Sequence, residues 1–366
     1  MCKIPRNDEA TIEKHLIDVL GQGHNQWNYR EDLKFEEDLW RNLRQKITQN
    51  NLSEIKEHPI TDKEFDSIKM ELLMRTKTPF YAAKWLKGEN GIARITIERE
   101  DTSLGAMSLI LYSNQDIGGG ISTYEVVNQI AKKKSDADER ERRFDVTLLI
   151  NGLPIVQIEL KQAGAKDGYF QAFNQIKKYA EEGMFRNNIF STLQLFVVSN
   201  EKTTRYFANA LPKDMHKKFL FSWRTTDNRK VDNVYEFCKQ VLNIPDAHRL
   251  IAHYTIVSED HDNRALMVLH PYQIHAIEAL FTSSMKHESG YVWHATGSGK
   301  TLTSFVATKL LARKSGVDRT IMVIDRKDLD SQTTSEFTKF ASEFNTGISS
   351  GNVRANSLIV GTGSSI

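Results

Sequence analysis

Cysteine is almost absent from this sequence: Cys2 and Cys238 are the only two in 366 residues. They lie far apart and lack the paired spacing of a zinc site, so neither a disulfide framework nor a cysteine-held metal organises the fold. A reducing compartment is expected. Net charge is nearly absent too. Lys and Arg number 49 against 47 Asp and Glu, a balance of +2, so a nucleic-acid surface has to come from local arrangement and not from a global field. No apolar run approaches the roughly 20 residues that span a bilayer. The polar N-terminus MCKIPRNDEATIEKH, with its early acids, is not a signal peptide. A cytoplasmic protein with no membrane partner is expected. What is present is ordinary for a globular chain, 40% hydrophobic and 26% charged residues, and the length suffices for two domains with separate cores.

Apolar Ile12, Leu16, Ile17, Val19 and Leu20 predict a helix over Glu9–Leu20, and Leu39, Leu43 and Ile47 a second over Lys34–Gln49. The alternating Ala93–Arg99 and the apolar run Met107–Tyr112 predict strands. Gly118, Gly119 and Gly120 mark a tight turn ahead of a further helix. The charged run Lys132–Arg143 (KKKSDADERERR) reads first as a solvated helix face or loop, with contact to DNA phosphates as the alternative.

The next segment, RRFDVTLLINGLPIVQIELKQ, predicts two strands around a turn at Asn151-Gly152. Val146, Leu148 and Ile150 share one face of the first strand; Val156, Ile158 and Leu160 form the apolar face of the second. The other face holds Asp145 and Thr147 opposite Gln157, Glu159 and Lys161. Both apolar sets meet one core if the loop is three residues, Asn151–Leu153, with the return strand starting at Pro154, where a missing N–H is tolerated. That register sets Asp145 opposite Glu159, whereas a two-residue loop would put them on opposite faces.

Two carboxylates held together repel unless a cation lies between them. A hard divalent ion such as Mg²⁺ takes oxygen ligands of this kind and keeps waters for a phosphate. An adjacent ammonium, Lys161, can orient or activate a water, or offset charge developing at phosphorus. Asp…Glu-x-Lys on a hairpin resembles the core pattern of the PD-(D/E)xK nucleases, with Phe144 where the family name has proline. Downstream, Gln171, Gln175 and Tyr179 lie along one stripe of a helix over Gln171–Glu182, and Gln175 with Tyr179 resembles the QxxxY element of several such nucleases. The resemblance implies DNA contact or site shaping for this pair; an exposed polar helix face is the alternative. It also offers Glu13 as a carboxylate contributed by the first helix, against an ordinary exposed glutamate.

A second unit begins near residue 266. His270-Pro271-Tyr272-Gln273 opens a helix, and YVWHATGSGKTLTSFVATKLL predicts strand, glycine-rich loop and helix. Thr296, Gly297, Ser298, Gly299, Lys300 and Thr301 have the make-up of a phosphate-binding loop: backbone N–H groups and a helix N-terminus for the phosphates, Lys300 for the β/γ oxygens, Thr301 for Mg²⁺. The A-x-G-x-G-K-T form resembles superfamily 2 helicases, which implies ATP as cofactor and gives Gln273 an adenine-reading role. TIMVIDRKDLDSQ, with Asp325, Arg326, Asp328, Leu329, Asp330 and Gln332, resembles the corresponding stretch of restriction-enzyme motors. No Asp-Glu-x-His or Asp-Glu-Ala-Asp follows the loop, so ATP binding without appreciable turnover is expected, as for a chain cut within a first motor domain.

The combined layout resembles the N-terminal part of the restriction (R) subunit of type I restriction–modification enzymes. That resemblance implies an α/β protein, a PD-(D/E)xK-type mixed-sheet endonuclease domain over residues 1–255 and a partial RecA-like parallel domain over 256–366. It implies catalytic Asp145, Glu159, Lys161, Gln175 and Tyr179, with Mg²⁺ at Asp145, Glu159 and Glu13. The implied partners are double-stranded DNA and the methylation and specificity subunits. Two other readings stay open: a helicase or remodelling ATPase whose N-terminal domain only binds nucleic acid, and an ATP-sensing scaffold without catalysis.

Overall fold

The computed structural model describes residues 8–23, 26–55, 57–132, 142–260, 263–314, 316–317, 320–324, 339–340 and 358–362. The chain divides into two compact units, residues 1–223 with 230–252, and residues 224–229 with 253–366. No helix among the described residues is long and apolar enough to cross a membrane.

The chain opens with α1 (Glu9–Leu20), β1 (Asn28–Tyr29), α2 (Glu36–Asn50), α3 (Leu52–Ile55), α4 (Asp62–Arg75) and α5 (Pro79–Lys87). A separate antiparallel hairpin, β2 (Ile92–Glu98) and β3 (Ala106–Ser113), leads to β4 (Tyr124–Lys132), β5 (Arg142–Ile150), β6 (Leu153–Leu160), α6 (Gly168–Glu181), β7 (Leu195–Ser199) and β8 (Thr204–Ala208). A short ribbon, β9 (Trp223–Arg224) and β10 (Lys230–Val231), precedes α7 (Val234–Val241) and α8 (Asp246–Tyr254). The central sheet has six strands in the order β1-β4-β5-β6-β7-β8. It is mixed: β1 with β4 and β6 with β7 run parallel, and the other pairs antiparallel.

Local signals set the first helix. Asp8 caps α1 by accepting a hydrogen bond from the Thr11 N–H at 2.8 Å, which satisfies one of the free donors at a helix start. Ile12 and Leu16 on its inner face are fully buried. The triple glycine does not lead into a helix. It leads into β4, where β-branched Val126, Val127 and Ile130 are fully buried and pairing with β1 and β5 uses both strand edges. Of the charged run, Lys132 ends β4 while Arg142 and Arg143 open β5; residues 133–141 lie outside the described residues.

The β5–β6 hairpin reaches the expected register by another route. The turn has two residues, Asn151 and Gly152, both left-handed (φ 54 and 79), the geometry that matches the twist of paired strands. From that turn, Ile150 pairs with Leu153 and Leu149 with Pro154, a register that would indeed put Asp145 and Glu159 on opposite faces. A bulge then intervenes: Leu148 pairs with Val156, so Ile155 is the extra residue, and Thr147 faces Gln157 and Val146 faces Ile158. One inserted residue restores the parity that a three-residue loop would have supplied. The Ile155 carbonyl accepts from the Gln194 N–H at 2.9 Å, so the bulge leaves no orphaned acceptor there. A Cβ on Gly152 would meet the Leu43 Cα of α2 at 3.0 Å; glycine is required there by close approach as well as by φ.

Val146, Leu148, Val156 and Ile158 are all buried, each by a general estimate contributing about 2 kcal/mol. Phe144, where the nuclease pattern has proline, packs on Tyr179, Phe185 and Phe190 at ring-centroid distances of 5.5, 5.5 and 4.8 Å. It is a core anchor beside Asp145.

The second unit contains the antiparallel pair β11 (Thr255–Asp260) and β12 (Asn263–Val268), then α9 (Pro271–Met285), α10 (Lys300–Ala312) and the parallel pair β13 (Thr320–Ile324) and β14 (Leu358–Thr362). The strand expected over YVWHA does not form. Residues 289–295 pair with no strand among the described residues, and Tyr291 and Trp293 are about nine-tenths exposed (89% and 92%). A strand exists only through its ladder partners, and the apolar character of this stretch does not supply one. The stretch from Asp325 to Gln332 lies outside the described residues.

Candidate active site

Asp145 and Glu159 stand one step beyond the last paired residues of the hairpin, Val146 and Ile158. Asp145 Oδ2 accepts a hydrogen bond from the Leu160 N–H at 2.7 Å. Glu159 is fully buried, and neither of its carboxylate oxygens has a hydrogen-bond partner. A buried, unpartnered carboxylate is costly. The cost is visible in proton affinity: burial and the neighbouring Asp145 push Glu159 well above the ordinary carboxylate range. Burial also pushes Asp145 up to about 6, against the pull of the Leu160 N–H and of Lys161.

Lys161 completes the group. Its ammonium donates to the Leu160 carbonyl at 2.9 Å and lies 3.8 Å from Glu9 of α1, and its charge favours the ionised forms of Asp145 and Glu159. On the same face, Thr147 donates to Gln157 Oε1 at 2.6 Å with both side chains fully buried. Of the face that the sequence marks as polar, Thr147, Gln157 and Glu159 are thus enclosed, while Asp145 and Lys161 are half-buried.

Tyr179 is buried on α6, and its hydroxyl accepts from Gln175 Nε2 at 2.6 Å. Burial raises its pKa, and the charges of Glu159 and Asp145 add to that shift, so the hydroxyl sits within electrostatic reach of both acids. Gln171 stays exposed and donates to the Lys166 carbonyl, outside this group. Glu13 is buried, with Oε1 accepting from Asn128 Nδ2 at 2.6 Å and Oε2 from Gln129 Nε2 at 2.5 Å. Its charge acts on Asp145 and Glu159. Among the described residues no three acidic, histidine or cysteine side chains are gathered closely enough to hold a metal ion; Asp145 and Glu159 are a pair with Glu13 beside it. Sequence reasoning missed Glu9, Asn128 and Gln129. The polar Asn128-Gln129 interrupting the apolar run YEVVNQIAK was the available signal.

In the second unit Gly297 and Gly299 are both left-handed (φ 77 each), Gly299 caps α10, and Lys300 and Thr301 open its first turn. Ser298 donates through its N–H and hydroxyl to the Ala295 carbonyl, and the Tyr272 hydroxyl donates to the Ser298 carbonyl at 2.9 Å. Thr296 and Lys300 are exposed. Gln273 is buried; its Oε1 accepts from the His270 N–H at 3.0 Å, capping α9, while its Nε2 faces the Gly299 carbonyl at 3.5 Å. The residue expected to read adenine thus links the start of α9 to the loop.

The molecule is an α/β protein with a buried Glu159 beside half-buried Asp145 and Lys161 on a mixed sheet in one unit, and a glycine loop heading a helix in the other. Residues 6–214 match the family described as type I restriction enzyme R protein N terminus, and residues 266–365 match the type III restriction enzyme res subunit. The chain belongs to the first of these families. A type I restriction enzyme endonuclease subunit from Staphylococcus aureus is 33% identical over 335 residues, covering 91% of this chain and 33% of that protein. One from Staphylococcus saprophyticus is 34% identical over 310 residues, 84% of this chain and 31% of that protein. The EcoprrI endonuclease subunit of Escherichia coli is 35% identical over 174 residues, 45% and 54% of the two chains. The chain spans about a third of the length of the staphylococcal relatives.

Proposed function

We propose that this chain carries the DNA-cutting centre of a type I restriction enzyme, a PD-(D/E)xK-type site at Asp145, Glu159 and Lys161, followed by the nucleotide-binding loop of a RecA-like motor. The observation that carries the reading is Glu159: a fully buried carboxylate with both oxygens unpartnered, beside a second carboxylate. A structural ion pair would have satisfied it; a site for a divalent ion has a reason to leave it open.

Mg²⁺ fits this donor set, being a hard ion that takes carboxylate oxygens and retains waters. Asp145 and Glu159 would hold it, with Asp145 Oδ2 tied to the Leu160 N–H and Oδ1 left for the ion. Bound there, the ion supplies charge against a phosphodiester and lowers the pKa of a water. Lys161, its ammonium anchored on the Leu160 carbonyl, orients the attacking water or offsets charge developing at phosphorus. Tyr179 accepts from Gln175, which leaves its own proton to donate to DNA or to a water at the site.

In the second unit, Gly297, Gly299, Lys300 and Thr301 with Thr296 and Ser298 bind ATP–Mg²⁺, and Gln273 braces the loop. Nucleotide binding is the step assigned to these loop residues. In the intact assembly, with methylation and specificity subunits, ATP drives translocation along double-stranded DNA before cutting. The test is separation of function: alanine at Asp145, Glu159 or Lys161 stops cutting while the assembly still consumes ATP.

A further inference from the structure

Two consecutive residues of one strand bind the same carboxylate: Asn128 Nδ2 donates to Glu13 Oε1 at 2.6 Å and Gln129 Nε2 to Oε2 at 2.5 Å. A regular strand forbids this, because successive side chains point to opposite faces. β4 allows it by a local break. Gln129 is left-handed (φ 52) in mid-strand, a conformation that non-glycine residues avoid. The break leaves the register intact: Asn128 pairs with Val146 and Ile130 with Phe144. The ladder position that Gln129 gives up is the one across from Asp145.

The amide of Asn128 is itself oriented. Its Oδ1 accepts from Lys34 Nζ at 2.7 Å and from the Tyr29 hydroxyl at 2.9 Å. Two donors on that oxygen leave the NH₂ group for Glu13. Lys34 also donates to the Asn128 backbone carbonyl at 3.1 Å. The side chains of Tyr29, Lys34, Asn128 and Gln129 thus converge to fix one carboxylate.

We infer that Asn128 and Gln129 are positioning residues of the cutting centre, clamping Glu13 so that its negative charge stands beside Asp145 and Glu159 and strengthens the site's hold on a divalent cation. This rests on the reading of Asp145 and Glu159 as metal ligands. Glu9 and Glu13 both act on Asp145 and Glu159 against the charge of Lys161, so a fixed Glu13 adds attraction for the ion while its own oxygens stay on Asn128 and Gln129. Outer-shell groups of this kind typically change metal affinity about 10–100-fold.

The experiment uses the intact R protein in its assembly, with Gln129→Met and Asn128→Leu measured separately and Glu13→Gln as reference. Mn²⁺ binding is measured by calorimetry, and DNA cutting is followed across Mg²⁺ concentration. The expected result is about a 10-fold weaker Mn²⁺ affinity and a matching rise in the Mg²⁺ needed for half-maximal cutting, with the rate at saturating Mg²⁺ within a few-fold of wild type and the unfolding temperature little changed. Wild-type Mn²⁺ affinity in a folded Gln129→Met or Asn128→Leu variant overturns the proposal, as does lost stability in both with metal binding intact. If Asp145→Ala binds Mn²⁺ and cuts as wild type does, the underlying site reading fails instead. Loss in Asp145→Ala with no shift in the clamp variants sinks the clamp alone.

Discussion

Asp145 on β5 accepts a hydrogen bond from the backbone N–H of Leu160, the residue that separates Glu159 from Lys161 on β6. That one bond ties the middle of β5 to the acid-x-lysine triplet at the end of β6. It also occupies one oxygen of Asp145 while both oxygens of Glu159 stay unpartnered. The two acids therefore differ: Asp145 is oriented by the backbone, and Glu159 is not.

Glu159→Met should raise the melting temperature of the metal-free protein and abolish cutting. A buried polar group left unsatisfied costs about 1–3 kcal/mol, and the apolar side chain removes that cost. Calorimetric unfolding paired with a cleavage assay checks both halves. A variant that cuts, or one that melts well below wild type, contradicts the role given to this carboxylate.

The pH dependence of stability follows from Asp145, whose pKa of about 6 lies above its ordinary value of 3.8 because burial disfavours the charge. The native state holds this proton more tightly than the unfolded chain does. The resulting stability is fully present below about pH 4 and is lost as pH rises through about 6. Glu159, also raised, extends the loss to higher pH. Without divalent ions, the wild type should thus lose stability relative to Asp145→Asn as pH rises from about 4 to 7, and Mg²⁺ should restore wild-type stability at the upper end. A wild type that gains on Asp145→Asn across this window would contradict the raised proton affinity of Asp145.

The hairpin shows how far the sequence could be read. Asn151-Gly152, the alternating apolar sets and the E-x-K triplet were legible, because turn chemistry and period-2 patterning are local. The bulge at Ile155 was not: an isoleucine in a strand looks the same whether its position is paired or extra, and only the ladder shows which. β4 was missed for a related reason, since the glycines before it signal a turn but leave open whether a helix or a strand comes next. The clamp on Glu13 depends on that missed strand. In the second unit the loop residues were legible by motif, while the absence of a ladder around Tyr291 and Trp293 depends on partners distant in sequence.

Gly152→Ala should destabilise the first unit by about 1–3 kcal/mol, the usual cost of a non-glycine residue held in a sparsely populated backbone region. The left-handed φ of 79° and the 3.0 Å approach of Leu43 Cα act together here. Denaturant unfolding of wild type and variant measures it. An unchanged midpoint would show that the turn relaxes freely.

Lys300→Ala and Gly299→Ala should each abolish ATP binding and leave the first unit folded. At Gly299 an added Cβ would lie 2.7 Å from Gln273 Nε2 on a residue with φ 77°, so the variant disturbs both the loop and its brace. Nucleotide titration of this chain, followed by phosphate release, tests binding and turnover together. Turnover within about 10³-fold of a complete motor, abolished by Lys300→Ala, would show that the hydrolytic groups lie within these residues after all.

The role of the carboxylate pair is tested most directly by cleavage of double-stranded DNA by the intact assembly carrying Asp145→Ala, with ATP consumption read in the same reaction across Mg²⁺ concentration. Cutting should be abolished at every Mg²⁺ concentration, with ATP still consumed. Cutting near the wild-type rate, with the same Mg²⁺ requirement, would contradict a metal-binding role for Asp145 and with it the nuclease site.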